Sequence, residues 1–171
     1  MISRVLPSVV TLVNLIFGVV SLVETMNGNY PMAALMVLFG MVMDGMDGRI
    51  ARKLAATSPF GKELDSLADL VSFGVAPALL VFAYRTSDLW LLGLVVSLGF
   101  ALCGAVRLAR FNILNIRGYF VGVPITAAGS LVALMVLLDI FLKERVPTFV
   151  FFVLLVLLSL LMVSKIKVPK Y

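Results

Sequence analysis

Long apolar runs separated by short polar breaks organise the whole chain. Six runs, at 8–26, 31–53, 58–84, 88–109, 121–142 and 147–164, come within a few residues of the roughly 20 that a helix rising about 1.5 Å per residue needs to cross a bilayer. The breaks carry turn chemistry: Asn27-Gly28-Asn29-Tyr30-Pro31 follows the first run, Thr57-Ser58-Pro59 precedes the third, and Val146-Pro147 precedes the sixth. Ser58 is placed to cap a helix beginning at Pro59, since a serine oxygen accepts an orphan N–H and proline has none to leave unpaired. The pattern predicts an all-α polytopic membrane protein with six transmembrane helices in a single domain over 1–171. The runs are too many and too evenly spread for the first to be only a cleaved leader.

Composition agrees with this reading. Of 171 residues, 62% are hydrophobic and 13% charged, with a mean hydropathy of +1.14, whereas a soluble domain carries about 25% charged residues. Histidine is absent, which excludes imidazole bases and histidine-ligated zinc. The lone cysteine, Cys103, sits in the run LGFALCGAV, reads as a small buried hydrophobe, and rules out any disulfide within the chain. With a cytoplasmic N-terminus, 11 of the 14 basic residues fall on the inner side and only Arg85, Lys143 and Arg145 on the outer. The positive-inside rule therefore predicts that both termini are cytoplasmic. The net charge of +5 reports topology and anionic headgroups of a cell membrane, not nucleic acid.

Against this background the acids of MDGMDGRIARKLAATSPFGKELDSLADLVSFG, residues 43–74, stand out. The second helix runs apolar for about 20 Å before Asp44, which leaves Asp44 about 10 Å inside the inner edge of a core about 30 Å thick. Asp65 and Asp69 lie at the matching depth in the third helix. Asp44 and Asp47 are spaced i, i+3 and Asp65 and Asp69 i, i+4, so each pair shares one helix face. Antiparallel neighbours joined by a short loop can turn those faces toward each other. Solvated helix ends paired with Arg49, Arg52, Lys53 and Lys62 are the plain alternative, but ionisable residues at such depth mark functional sites. Four facing carboxylates need a cation, and hard oxygen donors without His or Cys select Mg²⁺ or Mn²⁺, with Ca²⁺ a further candidate. Four carboxylates suffice for two ions. Gly45, Gly48 and Gly61 leave room for a ligand beside the acids, a setting that suits phosphate chemistry at headgroup level.

The string Asp44-x2-Asp47-Gly48-x2-Ala51-Arg52-x8-Gly61-x3-Asp65-x3-Asp69 resembles the signature of the CDP-alcohol phosphotransferases at every fixed position. Members of that family move a phospholipid phosphoryl group from a CDP-lipid to an alcohol and release CMP. Three further strings make the chain similar to the phosphatidylserine synthases of bacterial and archaeal type, archaetidylserine synthase included: Pro7-x3-Thr11-x2-Asn14-x3-Gly18, Asp69-Leu70-Val71-Ser72-Phe73-Gly74-Val75-Ala76-Pro77 and Arg107-Leu108-Ala109-Arg110-Phe111-Asn112. The likeness extends to the closing Ile166-Lys167-Val168-Pro169-Lys170-Tyr171. It implies a six-helix enzyme whose active site faces the cytoplasm, with CDP-diacylglycerol or CDP-archaeol as donor and L-serine as acceptor.

By that resemblance Asp44, Asp47, Asp65 and Asp69 are metal ligands for Mg²⁺ or Mn²⁺, and Asp69 is also the general base for the acceptor hydroxyl. Gly48, Ala51 and Gly61 pack against the cytidine, Arg52 meets the nucleotide or its phosphates, and Thr57 and Ser58 belong to the same pocket. Thr11, Asn14 and Gly18 share a stripe that turns toward the CDP-lipid or serves helix packing. A serine carboxylate calls for a fixed cation, and Arg107 and Arg110 present two guanidinium groups at i, i+3; as positive-inside anchors they have a second explanation. Pro77 after Gly74 predicts a bend in the third helix. Gly93, Ser97, Gly99 and Cys103 suit a homodimer contact or ordinary packing. Inositol phosphate or glycerol phosphate as acceptor, and more remotely a divalent-cation transporter, are the competing readings.

Overall fold

The computed structural model describes residues 2–54, 58–86, 89–114, 119–143, 145–164 and 167–169, with side chains for 8–46, 58–86, 89–113, 122–143 and 145–164. Six helices dominate: α1 Ile2–Met26, α2 Tyr30–Leu54, α3 Pro59–Thr86, α4 Trp90–Leu114, α5 Ile125–Phe141 and α6 Thr148–Val163. Three of the helices meet the length and hydropathy of a membrane span: Ser8–Met26 within α1, all of α3, and Trp90–Ile113 within α4. The apolar part of α2, Tyr30–Met46, is shorter, as are α5 with 17 residues and α6 with 16; at about 1.5 Å per residue these reach about 25 Å.

Helices α1 and α4 are inside-out relative to those of a soluble bundle. In α1 the buried positions Thr11, Asn14, Gly18, Ser21 and Thr25 recur every three or four residues, while Val9, Leu12, Ile16, Val19 and Val23 point outward. In α4 the buried stripe is Gly93, Ser97, Phe100, Gly104 and Arg107. Where the surroundings are as apolar as leucine, small and polar residues face inward because they permit close approach and interhelical hydrogen bonds. Gly93 and Ser97 are thus used for packing within the chain; a Cβ on Gly93 would stand 2.5 Å from the Thr86 carbonyl oxygen.

Helix α3 is the axis of the bundle. It touches all five other helices, and 56% of its apolar 18-residue stretch is buried, against 28% for those of α1 and α4. It is regular from Pro59 to Asp69, widens into a π-turn over Leu70–Val75, returns to α-helix at Ala76–Val81 and closes with a second π-turn, Phe82–Thr86. The proline that suggests a bend is met by this device: Ala76 N–H bonds the Val71 carbonyl five residues back just before Pro77. Such π-turns absorb one extra residue and recur at functional sites. Gly129 of α5 lies directly against the Phe73 backbone there, where a Cβ would collide with the Phe73 carbonyl.

Contacts sort the helix ends into two poles. One pole gathers Tyr30, Tyr84, Arg85, Asp139 and Val146; the other gathers Asp44, Asp65, Asp69, Asn112, Arg110 and Val163. This is the up-and-down arrangement that short loops impose.

The helical fold carries one small addition, and the fifth helix starts later than expected. Residues 121–124 do not begin the fifth helix: Tyr119–Val121 forms a short strand, β1, antiparallel to β2, Lys167–Pro169, with Phe120 opposite Val168. Gly122 has a φ of 73° and sits where a Cβ would be 2.5 Å from the Met162 carbonyl oxygen, and Pro124 then precedes the first turn of α5. Positive φ at glycine together with proline stops the helix from starting earlier. Val123 N–H bonds the Leu161 carbonyl at 3.3 Å, which helps satisfy the orphan carbonyls at the end of α6.

Candidate active site

Helix α2 supplies Asp44 and the first turns of α3 supply Asp65 and Asp69. One carboxylate oxygen from each comes within 4.8 Å of the other two. Asp69 is buried and the other two are half-buried. Ser58 holds the start of α3 in place: its hydroxyl oxygen accepts from Gly61 N–H at 3.0 Å, so its oxygen is engaged as the predicted cap. Asn112, at the end of α4, donates through its side-chain amide to the Glu63 carboxylate and to Ser66 Oγ, and its backbone carbonyl accepts from Lys62 Nζ at 3.2 Å. These bonds fasten the turn carrying Asp65 to α4.

Around Asp69 the polar stripe of α1 closes in. Asn14 Nδ2 donates to Asp69 Oδ1 at 3.3 Å, and Ser72 Oγ donates to the Asn14 backbone carbonyl at 3.0 Å. Thr11 is buried one turn earlier. Arg107 is buried at 9% exposure and lies within electrostatic reach of Asp69, while its Nε meets no protein acceptor among the described residues. Arg110 behaves differently from its neighbour in sequence: its Nη1 donates to the Val163 carbonyl at 3.0 Å, at the end of α6. Of the predicted arginine pair, the structure turns Arg107 toward the acids and Arg110 toward the α6 terminus. Asp47, Gly48, Ala51 and Arg52 continue α2, but their side chains, and all of Thr57, lie outside the described residues.

The carboxylates fit a divalent cation. All donors are oxygens, and the three lie within 4.8 Å of one another, near the about 4.2 Å that separates oxygens on opposite sides of one Mg²⁺ and the about 4.8 Å for Ca²⁺. Without a cation, three carboxylates this close repel one another in a poorly screened site.

A family model described as CDP-alcohol phosphatidyltransferase matches residues 4–168. The chain belongs to the CDP-alcohol phosphatidyltransferase family. It is 40% identical over 171 residues to a CDP-diacylglycerol–serine O-phosphatidyltransferase of Helicobacter pylori, covering 96% of this chain and 72% of the relative. The similarity to the protein of the same name from Bacillus subtilis is 36%, covering 97% of this chain and 90% of that one. An archaetidylserine synthase of Methanothermobacter thermautotrophicus is 33% identical, covering 96% of this chain and 70% of the relative. As a CDP-alcohol phosphatidyltransferase with three helices of spanning length and hydropathy, the chain is a membrane-bound transferase with an acidic cluster able to hold a metal.

Sequence reasoning about this CDP-alcohol phosphatidyltransferase missed the opposite pole. Asp139, fully buried, accepts from Arg85 Nε at 2.9 Å and Nη2 at 2.7 Å, from Tyr84 OH at 3.0 Å and from Val146 N–H at 2.8 Å. The signal was present: a lone acid, Asp139, in an apolar helix and an arginine, Arg85, at the end of another apolar run assigned to the same side of the membrane. It also missed Ser72 and Gly40, which pack against Asn14.

Proposed function

We propose that this enzyme transfers the phosphatidyl or archaetidyl group of a CDP-lipid to the hydroxyl of L-serine and releases CMP. The observation that carries the reading is the convergence of Asp44, Asp65 and Asp69 from two helices into one oxygen-only cluster. Its six helices cross the membrane, and the excess of basic residues on the acid-bearing pole supports an active site and both termini on the cytoplasmic side.

Asp44, Asp47, Asp65 and Asp69 hold the divalent ions, Mg²⁺ or Mn²⁺, which when bound neutralise charge on the diphosphate and on departing CMP. Gly48, Ala51 and Gly61 accept the cytidine, with Arg52, Thr57, Ser58 and Thr11 bordering the donor. Asp69 takes the proton of the serine hydroxyl as that oxygen bonds to the lipid phosphorus, and the bond from phosphorus to the CMP oxygen breaks. Burial of Asp69 keeps competing water from the proton transfer. Arg107 meets the serine carboxylate, since it is a buried guanidinium beside Asp69 whose Nε is unpaired among the described residues, and such a fork matches a carboxylate; Arg110 holds the adjoining chain. The names of the relatives support serine over glycerol phosphate or inositol phosphate.

The test is CMP release by the full chain in lipid nanodiscs supplied with Mn²⁺, CDP-diacylglycerol or CDP-archaeol, and one acceptor at a time. Serine-dependent CMP release is expected. Release with glycerol phosphate or inositol phosphate alone reassigns the acceptor, and no release with any alcohol overturns the reading.

A further inference from the structure

Asn14 is 55 residues from Asp69 in sequence and 1% exposed, and its carboxamide is the wedge between the two acid-bearing helices. On one side Nδ2 donates to Asp69 of α3 at 3.3 Å. On the other, Oδ1 faces Gly40 of α2, one turn before Asp44, where a Cβ would stand 2.9 Å from it. That Oδ1 is buried without a hydrogen-bond partner among the described residues, a cost that calls for a reason. The reason is orientation: only the amide N–H can face a carboxylate, so satisfying Asp69 leaves the oxygen over Gly40. The wedge itself is locked, because Ser72, one turn beyond Asp69, donates to the Asn14 carbonyl, and Gly18 packs so tightly on Ser72 that a Cβ would collide with its hydroxyl.

We propose that Asn14 is a positioning residue for the carboxylate cluster, setting the pose of Asp69 and the spacing of α2 from α3, in place of the CDP-lipid contact that its stripe on α1 suggests. The role rests on the metal reading of the cluster above. Neither natural alternative in size serves: aspartate would add a like charge against Asp69, and leucine would leave a carboxylate oxygen unpaired. Groups that orient ligands from behind typically cost about 10- to 100-fold in metal affinity or activity when removed.

The experiment measures Mn²⁺ binding to the substrate-free full chain in nanodiscs by the electron paramagnetic resonance signal of free Mn²⁺, alongside kcat and KM at saturating Mn²⁺. Asn14→Leu should raise the Mn²⁺ dissociation constant about 10- to 100-fold and lower kcat, with KM for CDP-lipid nearly unchanged. Gly40→Ala, which displaces the carboxamide while touching neither acid, should shift Mn²⁺ affinity in the same direction, and serves if Asn14→Leu does not fold. Asp65→Asn reports on the cluster independently. Wild-type Mn²⁺ binding that needs Asp65 but is indifferent to Asn14 and Gly40, or a variant that raises KM for CDP-lipid alone, overturns the role of Asn14 and leaves the metal site standing. Absence of Mn²⁺ binding in the wild type overturns both.

Discussion

Replacing Asp139 by asparagine should destabilise the fold while leaving the chemistry intact. The Asp139 carboxylate is fully buried and collects four donors, three of them on Oδ2. An amide offers a single oxygen, and its N–H2 would face donors. The Arg85 guanidinium, its side chain 18% exposed, then loses the Asp139 carboxylate. Removing one partner of a buried ion pair costs about 3–5 kcal/mol; because the Arg85 tip can lean toward interfacial water, a loss of about 3 kcal/mol is expected, or roughly 6–12 °C in Tm at about 2–4 °C per kcal/mol. Trp90, the only tryptophan, begins α4 beside this pole and provides the fluorescence signal for unfolding in mixed micelles. The double variant Asp139→Asn/Arg85→Met removes the buried charge together with its partner and should recover much of the loss, as apolar replacements of buried pairs do. Turnover per folded molecule should stay near wild type, since about 16 residues of helix, about 24 Å, separate Arg85 from Asp69. A loss below about 1 kcal/mol for the single change, well under the expected range, or no recovery in the double variant, would refute a stabilising role for the Asp139–Arg85 pair.

Three further outcomes bear on the active site. Exhaustive chelation should abolish CMP release and added Mg²⁺ or Mn²⁺ should restore it; full turnover after chelation would remove the metal from the reaction. Asp69→Asn should lower kcat by about 10²–10⁴-fold, the usual worth of a positioned base, and wild-type turnover would assign the proton elsewhere. Arg107→Lys should raise KM for serine by about 10- to 150-fold, as expected for about 1.5–3 kcal/mol of charge-assisted hydrogen bonding, without affecting serine methyl ester or CDP-lipid; Arg110→Lys, whose native partner is the Val163 carbonyl, should show the smaller effect, and equal losses for both acceptors would place Arg107 outside the serine site.

The order of apolar runs determined six helices, because their lengths and the turn residues between them leave an apolar chain few other ways to pair its backbone. Local periodicity likewise placed Asp65 with Asp69 on one face of α3 and set both at the depth of Asp44, and the structure joins those three. What periodicity could not supply was the partner of each buried polar group. Asn14 reaches Asp69 and Ser72 from another helix, and Asp139 reaches Arg85 across 54 positions; such choices depend on which faces meet, how closely glycines let them approach, and where the helix phase changes. The π-turn after Asp69 makes such a change, carrying Ser72 against α1 and Phe73 against Gly129. Arg107 and Arg110 show the same division at close range. Their spacing announces a shared face, but the helix buries one beside the acids and turns the other to the end of α6, because a side chain's partner is fixed by the surface packed against it and three residues of helix are enough to meet two different ones.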